Sequence, residues 1–351
     1  MLGRSFQRAS PDQSGMGEGT LTPRERHVLK YLIEHYLETG RPVGSRILAR
    51  ICNLGLSPAT IRNTVADLEA KGFVRSPHTS AGRVPTRKGY RYFLDQLLAP
   101  SPPQDRVVEQ LWNDFERQTS PQRLLETACQ LLARLTHLVG VATLPHAQHL
   151  TVDQLELIPL GEKRLLLLLI TSDGEVISGV VSPRTPLSQR EVARLGERLG
   201  RRLRGRPLAE IARLVRELED GLHRLETLQF EEVVETALRK RTVVAGEINL
   251  FDFPEASHNP EQLRSLYRFL KDEELLDALL ENLNPSRPSV FLGEELRSTL
   301  KACSVVAQTH PLGGMIGVVG PVRMDYARIV PLVETTTRLL HLALRERRSA
   351  P

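Results

Sequence analysis

Arginine, asparagine and threonine side chains cluster directly after a Ser-Pro pair, in a segment whose spacing is typical of an amphipathic helix. Arg62 and Asn63 belong to the residue types that form bidentate hydrogen bonds with guanine and adenine edges, and Thr60 and Thr64 can contact a thymine methyl group. The apolar residues between them share one helical face and predict its buried side: Ile61, Val65 and Leu68. The sequence therefore predicts a helix that reads DNA bases, and an ordinary amphipathic surface helix is the alternative interpretation.

A polar stretch at 76–85 is interrupted by Pro, Gly and Ser, which predicts a hairpin or loop, a wing, beside the reading helix. Such side chains suit contacts with phosphate groups, which fix the register of a protein on DNA without reading its sequence. The predicted phosphate contacts in the wing are His78, Thr79, Ser80 and Arg83. Residues at the starts of predicted helices complete the predicted DNA-binding set: Ser45, Ser57, Thr86 and Arg87.

Helix starts that position these residues are marked by capping signals. Thr22-Pro23-Arg24-Glu25 combines a capping box with a proline at the first helical position, and it begins the first helix. Ser45, Ser57 and Thr86 are expected to cap the second, third and fourth helices. A short strand precedes the wing. This order of elements predicts a winged helix-turn-helix domain over residues 21–99.

The positive charge of the chain is concentrated in the same segment. The 351 residues carry a net charge of +5, and residues 22–98 contain 13 basic and 6 acidic side chains, a charge of +7. Because residues 1–21 are neutral, residues 99–351 carry −2. A basic field confined to one domain is typical of a protein that binds a polyanion. A charged, solvated surface is the alternative.

The larger remainder, after a proline-rich linker at 100–103, alternates between strand and helix patterns and predicts an α+β region. Short strands are expected at 139–144, 154–160, 163–170, 175–181, 289–292, 304–307 and 315–319. Helices are expected at 121–138, 187–241, 259–283 and 325–345. A long helical stretch between two groups of strands indicates one α+β domain that is split by an insertion.

Several of these segments, in matching order, resemble the HrcA family of bacterial heat-inducible transcription repressors. The matching segments are 57–63 (SPATIRN), 67–69, 77–86 (PHTSAGRVPT), 89–91, 293–295, 303–304 and 320–326 (GPVRMDY). Thr64-Val65 departs from the pattern, since the family usually has an acidic residue and Met there. The resemblance extends from about residue 21 to residue 345.

The resemblance implies both an architecture and a function. The winged helix is expected to precede a GAF-like domain (100–186 plus 286–351) that contains an inserted, helix-rich dimerisation domain (187–285). Residues 1–20 lie before the resemblance, and their Gly-, Ser-, Gln- and Arg-rich composition without periodicity predicts a disordered lead-in. The implied function is negative regulation of class I heat-shock chaperone operons. As a dimer, the protein would bind an inverted-repeat operator called CIRCE, with support from the chaperonin GroEL and relief on heat shock.

Patterns that would indicate an enzyme or a metal site are weak. The glycine-rich run at 313–320 lies within an apolar strand pattern and does not open a helix, so a nucleotide-binding loop is not expected. His137, His146 and His149 lack a recognised ligand spacing, and the three cysteines are far apart, so neither a metal site nor a disulfide is expected. We expect no catalytic residues, no cofactor and no enzyme activity.

The sequence also predicts a cytoplasmic protein with no membrane partner. Its longest apolar run, Leu165–Ile170, is six residues, whereas a membrane span needs about twenty. The N-terminus lacks the apolar region of a secretory signal. The alternative function, from a different class, is a ligand-sensing transcription regulator whose GAF-like domain binds a small-molecule effector.

Overall fold

The computed structural model describes most of the chain. The described residues are 21–78, 82–118, 120–144, 150–161, 163–172, 174, 176–183, 185–217, 227–238, 241–252, 260–296 and 303–348. The predicted lead-in 1–20, the wing residues Thr79 and Ser80, and the histidines His146 and His149 lie outside these ranges. Within them, no helix is both long and apolar enough to cross a membrane.

The N-terminal domain has the predicted order of helices and wing. Its elements are α1 (Pro23–Thr39), α2 (Ser45–Ile51), α3 (Pro58–Ala70), β1 (Val74–Arg75), β2 (Val84–Pro85) and α4 (Arg87–Tyr92). The two short strands pair antiparallel at the base of the wing. A π-helical turn at Phe93–Leu97 continues α4. The predicted winged helix-turn-helix architecture is therefore confirmed.

Local capping chemistry explains where α1 begins and ends. Thr22 Oγ1 accepts a hydrogen bond from the backbone N–H of Glu25, whose carboxylate accepts one from the Thr22 N–H at 2.7 Å. Gly40 ends the helix with a left-handed φ of 66°. The predicted cap at Ser45 is wrong, because Gly44 occupies that position and makes no side-chain bond to α2. The extended backbone of Gly44 suffices to start this short helix.

The remaining elements follow in two groups. The first comprises α5 (Asp105–Glu116), α6 (Pro121–Thr136), β3 (Val139–Leu144), β4 (Val152–Pro159), β5 (Leu165–Thr171), β6 (Val176–Val181), α7 (Gln189–Leu203), α8 (Leu208–Glu217) and α9 (Thr227–Leu238). The second comprises β7 (Arg241–Ala245), a 3-10 helix (Glu247–Asp252), α10 (Pro260–Lys271), α11 (Glu273–Glu281), β8 (Ser289–Leu292), α12 (Gly293–Leu296), β9 (Cys303–Thr309), β10 (Met315–Pro321) and α13 (Tyr326–Arg348). Together they confirm the predicted α+β class.

Five of the described strands form the main sheet, in the order β7-β3-β10-β9-β8, with every neighbouring pair antiparallel. Apolar residues of α5, α6, α10, α11 and α13 form one core with this sheet, and that core is continuous with the core of the winged helix-turn-helix domain. We call residues 105–144 together with 241–348 the main unit.

A second, separate unit interrupts the main one. Strands β4, β5 and β6 form their own antiparallel sheet. Helices α7, α8 and α9 pack on one of its faces around a distinct apolar core. We call residues 150–238 the inserted unit.

These two cores correct the expected limits of the insertion. The prediction placed the strands at 154–181 in the outer domain and the helices at 259–283 in the insertion, whereas each belongs to the other unit. Residues 241–245 were placed within the predicted insertion, the first of them at the end of the helical stretch 187–241, but they form strand β7 of the main sheet. The hydrophobic pattern of a strand indicates which side chains are buried, but it does not indicate which sheet the strand joins. The sequence therefore indicated that an insertion exists but not where it begins and ends.

The glycine-rich run begins in the turn before β10 and continues through that strand, in the middle of the main sheet. A Cβ at Gly314 would overlap the carbonyl oxygen of Thr143, and one at Gly317 would overlap that of Val306. These glycines therefore allow close contact between neighbouring backbones, in agreement with the interpretation of this run as strand and not as a phosphate-binding loop.

Candidate nucleic-acid interface

Helix α3 presents two of the predicted base-reading residues to solvent. Ser57 caps the helix by accepting a hydrogen bond from the Thr60 N–H at 3.2 Å. Ile61 and Leu68 are fully buried on the inner face, and Arg62 and Asn63 are exposed on the outer face. The arrangement leaves an arginine and an asparagine near the N-terminal end of an exposed helix, where helix-turn-helix proteins carry their base contacts.

Thr64 does not face solvent, contrary to the prediction. Its side chain is 2% exposed, and its Oγ1 donates a hydrogen bond to the carbonyl oxygen of Thr60 at 3.1 Å. This bond to the preceding turn satisfies the hydroxyl, so burial of the residue costs little. Thr64 lies three residues after Ile61 and four before Leu68, and this spacing already places it on the inner face.

A carboxylate of α3 holds the base of the wing. Glu69 accepts a hydrogen bond from the Ser76 N–H at 3.0 Å and one from Arg83 Nε at 2.9 Å. The Nη2 atom of Arg83 lies 2.8 Å from the same carboxylate. Arg83, predicted to contact phosphate, therefore has its guanidinium directed to Glu69, and it positions the wing relative to the reading helix.

The other side of the wing pairs with the loop before α2. Val43 and Arg83 exchange two backbone hydrogen bonds of 2.9 Å each. Gly82 is required beside them, because a Cβ there would collide with the Val43 backbone. His78 is exposed at the far end of the described wing, and its carbonyl oxygen accepts a hydrogen bond from Ser76 Oγ at 2.7 Å. The described part of the wing is thus joined both to α3 and to the loop before α2.

Two further predicted contacts have internal partners. Thr86 caps α4 as expected, accepting a hydrogen bond from the Gly89 N–H at 3.2 Å, and its Oγ1 lies 2.6 Å from the Gly72 carbonyl oxygen. Arg87 extends toward the main unit, where its Nη2 lies 3.2 Å from Glu295 Oε1. The structure thus places neither side chain in the exposed surface formed by Arg62 and Asn63.

An ion pair joins the start of α1 to the end of α3. The carboxylate of Glu25 is almost fully buried and accepts hydrogen bonds from Lys71 Nζ at 2.7 and 2.8 Å. Burial raises the pKa of Glu25, but the hydrogen bonds from Lys71 and Thr22 outweigh it, so the pKa lies below its usual value. The C-terminal end of α3 is thereby held against the start of α1.

Three exposed arginines near this surface were not singled out from the sequence. Arg46 and Arg50 lie on the exposed side of α2, and Arg75 lies on β1. The net charge of residues 22–98 indicated such a surface, but the charge count does not distinguish an exposed arginine from one that is held in an ion pair, such as Arg83.

A capped, exposed helix with Arg and Asn at its start, a wing fixed to it and surrounding arginines define a DNA-binding protein of the winged helix-turn-helix class. The comparisons with known proteins agree. Residues 20–97 match the family model described as winged helix-turn-helix transcription repressor, HrcA DNA-binding. Residues 122–330 match the model described as HrcA protein C terminal domain. The chain belongs to the HrcA family of heat-inducible transcription repressors.

Individual relatives support this assignment over nearly the whole length. The heat-inducible transcription repressor HrcA of Methylococcus capsulatus is 39% identical over 346 residues, covering 94% of this chain and 98% of that protein. The HrcA of Methylobacillus flagellatus is 37% identical and covers 92% and 98%. A crystal structure of a hypothetical protein, solved at 2.2 Å resolution, has a TM-score of 0.65 and 25% identity, covering 93% of this chain and 99% of that one.

The resemblance noted in the sequence is therefore confirmed. The chain is a DNA-binding transcription repressor of the heat-shock response, and its family is one of regulators, not enzymes.

Proposed function

We propose that this repressor acts in the cytoplasm on class I heat-shock chaperone operons, by binding as a homodimer to the inverted repeat called CIRCE. The observation that carries the proposal is the exposed pair Arg62 and Asn63 on a helix that Ser57 caps and whose C-terminal end Glu25 and Arg83 hold. Both residue types read base edges through two hydrogen bonds, and each such contact contributes about 1–3 kcal/mol of discrimination.

Other polar side chains near this pair position the protein on the phosphates. Ser57 and Thr60 lie at the start of α3, and Ser45 lies at the start of α2. Helix α2 is the helix that crosses the DNA backbone in this class of protein. We assign its exposed Arg46 and Arg50 to the same role, because both continue the positive surface. His78 extends these contacts into the wing, where Thr79 and Ser80 stay predictions.

An inverted repeat requires a two-fold symmetric dimer, and the outer face of the inserted sheet supports one. Val176 is 58% exposed, Val180 48% and Ile158 39%. In the register of the sheet, Leu166 lies between Ile158 and Val180, and Ile170 lies beside Val176. The opposite face already packs against α7 and α9, so this apolar face is the one left for a second copy.

Release on heating follows from the physics of a marginal dimer. Native proteins are stable by only about 5–15 kcal/mol, and the stability of a dimer also falls as its concentration falls. Heat lowers the population of the DNA-binding dimer. Support by GroEL, which the family resemblance implies, returns unfolded chains to that population.

A titration of the full chain against an inverted-repeat operator and a random duplex, at two temperatures and with or without GroEL, tests the proposal. We expect a specificity ratio of about a thousand or more at the lower temperature. Heating should lower it, and GroEL should restore it. Equal affinity for both duplexes would disprove operator recognition. The ligand-sensing alternative stays a prediction, and a thermal shift with a metabolite panel would favour it.

A further inference from the structure

Two segments that carry the family resemblance, 293–295 and 320–326, take no part in the DNA-reading surface or in the inserted unit. Both lie where the DNA-binding domain meets the main unit. One contributes a carboxylate to α4, and the other contributes a guanidinium to the end of α1. We call these two contacts the carboxylate clasp and the guanidinium clasp.

The carboxylate clasp is centred on Glu295 in α12. This carboxylate accepts hydrogen bonds from Arg87, at 3.2 Å, and from Arg91. It also accepts one from the backbone N–H of Leu292 at 3.0 Å, which fixes it to its own unit. The guanidinium of Arg91 donates further bonds of 3.1 Å to the carbonyl oxygen of Val290. Two arginines of α4 are thereby held at the edge strand β8.

The guanidinium clasp is centred on Arg323. Its guanidinium fills the space beside Gly40 in which any side chain at that position would lie. Gly40 ends α1, which has no basic residue in its own last turn. A cation at the C-terminal end of a helix is stabilised by the unpaired carbonyl groups there. The main unit therefore supplies the cation that α1 lacks.

The segment that carries Arg323 is itself held by burial and hydrogen bonds. Tyr326 is fully buried, and its hydroxyl donates a hydrogen bond to the carbonyl oxygen of Val322 at 2.7 Å. The Ser101 N–H, in the linker after the DNA-binding domain, donates one to the Ala327 carbonyl oxygen at 2.8 Å. The linker is thus hydrogen-bonded to the main unit beside the guanidinium clasp. Only a short length of chain is left to allow the DNA-binding domain to rotate relative to the main unit.

We propose that Glu295 and Arg323 are positioning residues for operator binding, because they fix the direction in which each DNA-binding domain faces from the main unit. Neither residue is assigned a DNA contact. The proposal rests on the dimeric function above: two reading helices match two half-sites only if the orientation of each domain is fixed. Hydrogen-bonded charges restrain orientation more narrowly than apolar contacts, because they are directional.

The test compares Glu295→Gln and Arg323→Gln with wild type and with Glu281→Gln, which removes an exposed carboxylate elsewhere in the main unit. Each is titrated against inverted repeats whose spacer changes by single base pairs, and against a single half-site. In the two clasp variants we expect the preference for the best spacer to fall about tenfold. Half-site affinity should stay within about twofold of wild type, and Glu281→Gln should match wild type throughout.

A measurement without DNA keeps the proposal separate from the proposed function. Spin labels at Ala66→Cys in α3 and Arg287→Cys in the main unit report the interdomain distance, since the native cysteines are buried. We expect a narrow distance distribution in wild type and a broad one in the Glu295→Gln, Arg323→Gln double variant. An unchanged width, or an unchanged spacer profile, would overturn the positioning role. If the wild type binds half-sites and inverted repeats with equal affinity, the dimeric function is refuted. The width of the spin-label distance distribution would then still test whether the two clasps fix the orientation of the DNA-binding domain.

Discussion

His310 Nε2 and the carbonyl oxygen of Thr143 lie 2.8 Å apart and join the turn between β9 and β10 to the end of β3. The other ring nitrogen, Nδ1, accepts a hydrogen bond from the Leu312 N–H at 3.2 Å. These partners assign the proton to Nε2. Burial lowers the pKa of His310 to about 4, and the bond to Thr143 only partly opposes this effect.

This histidine predicts a pH dependence of folding stability. Because its folded pKa lies below the ordinary value of 6.5, its contribution is complete above that pH and is lost as the pH falls toward 4. The free energy of unfolding, measured by urea titration between about pH 7 and pH 5, should therefore fall with acidification. His310→Gln keeps an N–H donor but does not titrate, so its curve should be flatter. Identical slopes for the two proteins would contradict the assignment.

The exposed face of α3 predicts a clear pair of outcomes. Arg62→Ala or Asn63→Ala should reduce the preference for operator over random DNA by about 1–3 kcal/mol, because each removes a bidentate base contact. Thr64→Val is the matched control: its side chain is buried, so the preference should be unchanged. Competition titrations at fixed salt measure the ratio. If Thr64→Val loses the preference for operator DNA while Arg62→Ala and Asn63→Ala keep it, the base-reading surface is not the exposed face of α3.

The contact of Arg83 with Glu69 predicts a coupled effect on the wing. Arg83→Ala and Glu69→Ala should each weaken operator and random DNA alike. The double variant should be no worse than Glu69→Ala alone, because that substitution already removes the partner of Arg83. The salt dependence of binding should change little. Arg46→Ala on α2 should instead lower the salt slope by about one, as expected for a phosphate contact. If Arg83→Ala instead lowers the salt slope by a full unit, Arg83 contacts a phosphate group, as predicted from the sequence.

The outer face of the inserted sheet predicts the oligomeric state. Val180→Asp places a charge on the apolar face and should convert the proposed dimer to a monomer in light scattering, because an unpaired charge is costly to bury. Ala193→Asp adds the same charge on the exposed side of α7 and should remain dimeric. A dimeric Val180→Asp protein would move the interface to another surface.

Local chemistry explains why the DNA-binding domain was predictable from sequence. Capping at Thr22, Ser57 and Thr86 depends on residues within three positions of one another, so the sequence contains the whole signal. The buried face of α3 was predicted for the same reason, apart from Thr64. That residue was assigned by its polar character, whereas its position in the helix and a bond to the preceding turn decide its burial.

Long-range partners were not predictable in this way. Glu69 and Arg83 are fourteen residues apart, and Arg91 is 204 residues from Glu295, so no local pattern pairs them. Of these four residues, only Arg83 was assigned a role from the sequence, and that role was a phosphate contact. The predicted limits of the inserted unit were wrong for a similar reason, because β7 pairs with β3, from which the whole insertion separates it in sequence.

That pairing describes how the inserted unit was added to the fold. Leu144, where the chain leaves the main sheet, and Arg241, where it returns, are register partners on adjacent antiparallel strands. A tight turn could join them, so the unit between them is an enlarged hairpin loop with its own core. In evolutionary terms it is a replaceable module: its sequence and size can diverge without altering the sheet or the DNA-binding domain packed against it.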